Sequence, residues 1–484
     1  NLIILIKNNM HILLTRPFED CSEMILKFQS LGNKVSHLPL LRIDKVNYDE
    51  TDLLSLKGVI FTSANAVKFL NLKKIDKNLL CFCVGNATEK KARAVGFQNV
   101  ISAEGNIENL KELILQNFDQ KDGKMIYISG EIISIDLDQQ LLKEGYNIKR
   151  IINYRTTHTE NFNDKFVEEL KLKMPDIVYI HNTWFRANLG IFKILAKENV
   201  AVVQKIHNFR FACTDTFSAS KHFNHKDFCY KCGNKRKRLS VFNKYFENSY
   251  IKSFFVILYG KKYINVLRKY NLKIIALNKF CKDYLIGRGI KESKVFINYN
   301  PFEISEKFTY TADSDYVVYA GSLVEQKGIR ELLESWRKSN INLKLSIIGI
   351  GRLEKEIANK YSSENIEFLG FIENEKAIDL IKNSRAVITA TKMFEGQPRL
   401  ISEASAYGIP SIYPSFGGLD EYFPDDYKLS FKQFDYLDLV EKIIFLQNKT
   451  LLVEESKKIR THIIKNMSTN ILSKNLESIF NSSE

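Results

Sequence analysis

No stretch of this sequence approaches the roughly 20 uninterrupted apolar residues that a membrane-spanning helix requires. SFFVILYG at 253–260 is stopped at once by Lys261 and Lys262, so the chain is expected to be soluble or at most to lie on a membrane. Cysteine is scarce as well. Seven thiols, an odd number scattered over 484 residues, do not read as a disulfide framework and fit a reducing cytoplasm. No zinc-finger, helix-turn-helix or ribonucleoprotein pattern occurs, which leaves a nucleic-acid partner without support. No small-residue cleavage site follows the brief apolar run NLIILIKNN, so that segment reads as translated sequence ahead of a start at Met10 rather than as a secretory signal.

What is present is globular. A content of 45% hydrophobic and 26% charged residues argues against disorder and fibrous structure, and the length corresponds to about three ordinary domains. Lys and Arg number 71 against 56 Asp and Glu, a formal charge of +15. Asn, Lys and Ile are abundant everywhere, however, so the excess reflects biased composition more than one basic patch. The densest run, NKRKR at 234–238, fits a solvated loop, a contact with anionic lipid or a contact with nucleic acid.

From residue 11 the chain alternates short apolar runs with helical periods, the pattern of α/β folds with parallel, Rossmann-like sheets. HILLTRP at 11–17, GVIFTSANAVKFL at 58–70, LLCFCVGNATEKKARAVGF at 79–97 and KMIYISGEIISIDLDQQLLKEGY at 124–146 each read as strand, loop and helix. Small and hydroxyl residues sit just past each strand, where open α/β sheets place their ligands; such residues also serve as helix caps and turns. Taken in order, LLTRP, LPLLRI, IFTSANAV, CVGNATEKKARAVGF, YISG and INYRT resemble uroporphyrinogen-III synthase over about residues 10–157. That resemblance implies two α/β domains around a cleft, no metal or cofactor, and closure of a linear tetrapyrrole, hydroxymethylbilane. It would set substrate carboxylates against Thr62, Ser63, Ser129 and Gly130, with Tyr154 as proton donor, help of a kind typically worth about 10²- to 10⁴-fold. The family pattern calls for about 80 further residues to complete its first domain, and the sequence offers nothing like them.

At Pro175 the chain changes character. DIVYIHNTWF, VAVVQKIHNFRFAC and KIIALNKFCKDYLIGRGI lead into a second doubly wound series: YVVYAGSLVEQKGIRELLESW, LKLSIIGIGRLEKEI, IEFLGFI and AVITATKMFEGQPRLISEASAYG. In FEGQPRLISEASAYG two glutamates eight residues apart flank a Gly-Gln-Pro loop. Gly396 admits close backbone approach, Pro398 favours a helix start, Glu403 falls about one turn into that helix, and the free N–H groups of its first turn favour a diphosphate.

This succession resembles family 4 glycosyltransferases, retaining enzymes of two-domain GT-B architecture, over about residues 160–480, without the opening strands of the acceptor domain. By that resemblance Glu395 contacts the donor sugar and Glu403 the nucleotide ribose, Gln397 and Pro398 shape the loop, and Lys327 neutralises the leaving diphosphate beside Gly321 and Ser322. Gly349 and Gly351 form the turn near the base, and His207 faces the reacting sugar with Arg210 nearby, while His181 reads as structural. Ser322 stands where the common pattern has arginine, which removes a cation from the diphosphate site. The leaving diphosphate itself can take the acceptor's proton, so no paired-acid site is expected, and no carboxylate-rich metal motif accompanies it. Cys213, His222, His225, Cys229 and Cys232 fit either a zinc site or a packed thiol loop. Segment 241–270 fits either a helix on an anionic membrane or a core helix with snorkelling lysines.

The expected organisation is a synthase-like region at 10–157, a partial acceptor domain at 158–306 and a donor-binding domain at 307–484. Three functions follow from it. One is glycosyl transfer from a nucleotide sugar, a co-substrate and not a cofactor, to a glycan or lipid-linked acceptor, with peripheral membrane contact. Another is tetrapyrrole cyclisation as a lyase. The third is a fusion of two gene fragments with little activity.

Overall fold

The computed structural model describes residues 10–482 apart from 16–20, 39–41, 104–106, 134, 158–161, 182–188, 208–248, 303, 305–307, 309, 352 and 373. The expected zinc or thiol cluster, Arg210, the 234–238 run and the residues ahead of Met10 lie outside the described residues.

Three six-stranded sheets organise the chain. The donor-side sheet runs Ile366–Gly370, Lys344–Ile348, Tyr316–Ala320, Ala386–Ile388, Ser411–Ser415, Ser430–Lys432, all parallel. Its helix Ile329–Ser339 buries Ile329, Leu332, Leu333 and Trp336 at helical spacing and ends at Asn340 in the left-handed region, φ 47°. A second sheet, built from residues 42–157, runs Arg42–Lys45, Ile148–Thr157, Lys124–Gly130, Leu56–Phe61, Leu80–Val84, Asn99–Ala103, parallel except for its first strand.

The third sheet departs from the expected boundaries. Its order is Val295–Ile297, Lys273–Ala276, Ala201–Lys205, Ile177–His181, His11–Leu14, Lys34–His37. Leu13 pairs with Val178 on one side and Ser36 on the other. The expected division at 157/158 therefore does not separate sheets: residues 11–37 belong with 177–297, and 42–157 is a lobe inserted between them. The physical cause is burial. Ile12, Leu13 and Leu14 are buried on both faces of the sheet, so the strand needs a partner on each side, and Ile177–His181 supplies one. The sheet expected to open only at residue 176 thus gains two strands from the start of the chain.

Apolar contacts tie the units together. Ile350, from the donor side, joins the lobe's core of Ile60, Phe82, Phe118 and Tyr127, with Phe371 packed alongside. Phe394, on the donor loop, packs into the core of the third sheet and stacks on Phe280 at 4.5 Å between centroids. The last helix, Thr469–Asn481, crosses back to that sheet, where Lys273 Nζ donates to the carbonyls of Ile479 and Phe480 at 2.7 and 3.1 Å.

The lysine-aromatic helix, Tyr250–Lys269, has both buried and exposed apolar residues. Ser253, Tyr263, Ile264 and Leu267 are buried, whereas Ile251, Phe254, Phe255 and Leu258 are exposed. Among the described residues, no helix is long and apolar enough to cross a membrane.

Candidate functional site

Two glycine turns begin the site. Gly321 N donates to Ile348 O at 3.0 Å and Leu323 N to Ile350 O at 2.9 Å, so the loops after Tyr316–Ala320 and Lys344–Ile348 continue pairing beyond their strands. Gly349 has φ +135°, and a Cβ there would lie 2.0 Å from Gly321 O. Only glycine permits this approach, which leaves backbone at the strand ends where side chains would otherwise stand.

In front of the turns lies a cavity of about 480 Å³ bordered by Gly321, Ser322, Lys327, Glu395, Gln397 and Arg399. It continues through Ser322, Arg399 and Leu400 into a smaller recess of about 90 Å³ that reaches Gly349, Phe371 and Glu403. The two glutamates thus serve different compartments of one cleft. Lys327 Nζ lies 2.6 Å from Glu395 Oε1, and Thr391 Oγ1 donates to the same oxygen at 3.2 Å. Both side chains are largely withdrawn from solvent, 28% and 16% exposed, where a charge pair is screened less than on open surface. Tyr319, also facing this cavity, has its phenol pushed up by burial and then by the Glu395 carboxylate.

Pro398 is the N-cap of helix Arg399–Ala406, so the helix starts where the proline implies. Within it Arg399 Nη2 lies 3.1 Å from Glu403 Oε1 and donates to Asn374 Oδ1 at 3.1 Å. Gln397 turns away from the cleft's polar work. Its Oε1 accepts from Asn300 N at 2.7 Å and its Nε2 donates to Asn300 O at 2.9 Å, a clip between the halves. Asn278 adds a second clip: its Oδ1 caps Cys281 N at 2.7 Å while its Nδ2 donates to Gly396 O at 2.7 Å. The Glu421 carboxylate accepts from the N–H groups of Lys279 and Phe280 and from Tyr299 OH.

His207 lies just past Ala201–Lys205. Its Nε2 is 2.9 Å from His181 Nδ1, with the rings stacked at 17°. Gly396 is so close that a Cβ on it would stand 3.5 Å from His207 O. Lys327, Glu395, Glu403 and His207 are thus gathered around one joint, and His181, expected to be only structural, is hydrogen-bonded to His207.

The lobe's candidates stand apart from this joint. Ser129 is buried; its Oγ accepts from Arg150 Nε at 2.8 Å and donates to Gly130 O at 3.1 Å, and Arg150 Nη2 donates to Gly130 O at 2.8 Å. The Tyr154 ring lies over Gly130, so close that a Cβ on it would meet Cζ at 2.7 Å. Thr62 Oγ1 bonds Tyr127 OH at 3.1 Å, and Ser63 caps the helix Ala64–Lys68 through Asn65 N at 3.2 Å. Instead it is Gly85, not among the expected residues, that reaches the large cavity. Arg399, Thr391 and Asn278 were also missed. Arg399 was available from its place directly after the helix-starting proline; the other two carry no local signal.

Among the described residues, no group of three or more His, Cys, Asp or Glu is placed to hold a metal. Cys21, Cys81, Cys83 and Cys281 are buried and form no disulfide.

Two family models match the chain: uroporphyrinogen-III synthase over residues 22–206 and glycosyl transferases group 1 over residues 302–467. Among curated proteins, a glycosyltransferase of Methanocaldococcus jannaschii is 29% identical over 36% of this chain and 50% of its own. CapJ of Staphylococcus aureus is 27% identical over 50% of this chain and 57% of its own. The chain thus spans about half the length of the curated relatives it matches. Among solved structures, HepE of Anabaena in complex with UDP superposes with a TM-score of 0.51 at 11% identity, covering 88% of this chain and all of that one, a likeness of fold. The synthase match runs from helix Ser22–Ser30 through the inserted lobe and on into Ile177–His181 and Ala201–Lys205, so the resemblance extends past its expected end at residue 157 into the third sheet. The molecule therefore joins, on a GT-B-like frame of parallel Rossmann-like sheets, a segment similar to glycosyl transferases group 1 to a uroporphyrinogen-III synthase-like segment.

Proposed function

We propose that the chain transfers a glycosyl group, with retention, from a nucleoside-diphosphate sugar bound in the cleft between Gly321 and Glu403. The observation that carries this reading is the Lys327–Glu395 pair, 2.6 Å apart at the rim of the glycine turns, with Glu403 in the adjoining recess. In this reading the diphosphate lies along the backbone of Gly321, Ser322, Gly349 and Gly351 and draws Lys327 to itself as charge develops on it. Arg399, bordering both compartments, supplies a cation where Ser322 cannot. Glu403 takes the ribose hydroxyls, and Glu395, held by Thr391, orients the sugar. The C1–O bond to the diphosphate breaks as the acceptor hydroxyl, near His207, bonds C1 on the same face, and its proton passes to the departing phosphate oxygen. The nucleotide sugar is a co-substrate, and the reading needs no cofactor or metal. A glycan or lipid-linked alcohol is the acceptor class.

Thermal-shift titration tests the donor site. Uridine diphosphate is the first probe, with guanosine diphosphate as the second. Binding at 100 times Kd stabilises by about 2.7 kcal/mol, and this rise should disappear in Glu403→Ala and Lys327→Ala. If no common nucleotide moves the melting temperature, the reading fails.

One observation favours a second reading: the synthase match over 22–206 keeps hydroxymethylbilane cyclisation as the alternative. Against it stand the hydrogen bonds by which Arg150 engages Ser129 and Gly130. Incubation with hydroxymethylbilane is expected to give no ring product beyond the uncatalysed background; rapid formation of the type III product would establish the lyase. A chain that neither binds nucleotides nor cyclises hydroxymethylbilane would be the inactive fusion.

A further inference from the structure

A second cavity, of about 510 Å³, opens on the acceptor side where the two central strands of the third sheet end. The strand register places Lys205 directly across from His181 and Val203 across from Tyr179. His207 follows Lys205 by two residues on the same side of the chain, so an amine and two imidazoles converge at one edge of the cavity. Lys205 is only 4% exposed. Its Nζ donates to Tyr299 O at 3.1 Å, and burial pushes its ammonium down to about 7. Burying an amine this deeply is costly unless something pairs with it. The remaining walls are largely hydrocarbon: Phe28 and Leu31 from helix Ser22–Ser30, and Leu472 and Leu476 from the last helix. Lys27 and Glu477 are the other charged residues bordering it, one of each sign.

This cavity adjoins the donor cleft. Asn300 borders it, and the Asn300 backbone is held on both sides by Gln397, which borders the cleft.

We propose that this cavity binds an amphipathic acid, a carboxylate or phosphate carried on an apolar body, with the acid group against Lys205, His181 and His207. The apolar walls take up hydrocarbon, and the acid supplies the counter-charge that makes a protonated buried amine tolerable. Calling this ligand the acceptor rests on the transferase reading above; the chemistry of the cavity does not.

The test is calorimetric titration of the full chain with decyl phosphate and with decanoate, each below its micellar concentration, and with decanol as the neutral control. At least one acid should bind at least tenfold more tightly than decanol. Lys205→Met, which keeps the length of the side chain and removes the amine, should lose that difference while melting cooperatively. Should Lys205→Met fail to fold, Leu472→Trp, which fills the cavity from another helix, must abolish acid binding in its place. Equal binding of decanol and the acids, equal binding by wild type and the folded variant, or no binding of either acid overturns the proposal. The two acids tell carboxylate from phosphate recognition. Acid binding that depends on Lys205 in a chain that ignores every nucleotide would keep the cavity and remove the transferase; nucleotide binding without acid binding would do the reverse.

Discussion

The donor-side sheet and the sheet of the inserted lobe answer the same sequence pattern in opposite ways. Both end parallel strands in glycine and hydroxyl residues, the place where open α/β sheets hold ligands. On the donor side the loops after 320 and 348 satisfy one another backbone to backbone, which leaves the side chains of Lys327 and Glu395 directed at a cavity. In the lobe a cation that reaches the strand ends, Arg150, is spent on Ser129 Oγ and Gly130 O, and the Tyr154 ring occupies the space over Gly130. A strand-end glycine therefore says little by itself; what counts is whether the neighbouring charges are consumed by the protein's own backbone.

The strongest way to break that contrast is to remove the cavity-facing charge on one side. Lys327→Ala should lower glycosyl transfer by about 10²- to 10³-fold, the usual cost of one group that stabilises developing charge, with the fold unchanged. Gly349→Ala should be at least as damaging, since its methyl would collide with Gly321 O. A variant of either kind with wild-type turnover, measured by release of nucleoside diphosphate, would show that the cleft is not the donor site.

A smaller effect is expected on the other side. Arg150→Ala leaves Ser129 Oγ and Gly130 O short of a donor and should destabilise the lobe by about 1–3 kcal/mol, read as a lowered denaturant midpoint. Nucleotide-induced stabilisation should be untouched. A loss of nucleotide response in Arg150→Ala would mean that the two sheets act as one site, and would erase the distinction.

The candidate cleft around Lys327 and Glu395 was readable because its parts are local. FEGQPRLISEASAYG contains both the loop and the helix that carry Glu395 and Glu403, and Pro398 marks the helix start. Lys327 meets Glu395 because Tyr316–Ala320 and Ala386–Ile388 are neighbouring strands, the ordinary outcome of a doubly wound order. The fold class was legible for the same reason: strand and helix periods are properties of short windows. Sheet membership was not. A parallel strand's partner lies at least one crossover away, so nothing within HILL says that Ile12 pairs with Ile177 beyond an entire lobe. The roles of Asn278 and Arg150 were equally silent, since each acts on backbone atoms that only tertiary folding brings near. The expectation of substrate contacts at Ser129 and Gly130 read the strand ends correctly and could not see the arginine that closes them.

The antiparallel pairing of Arg42 with Thr157 has a consequence for the cost of carrying the lobe. The lobe enters and leaves through residues that face each other across one ladder, with Cα atoms about 5 Å apart. Once folded, the lobe presents its two ends to the sheet that flanks it as a short loop would, and the entropy of closing that loop is that of a few residues, not of a long insertion. The flanking sheet can therefore hold residues 11–37 beside 177–297 across an entire lobe at little entropic cost.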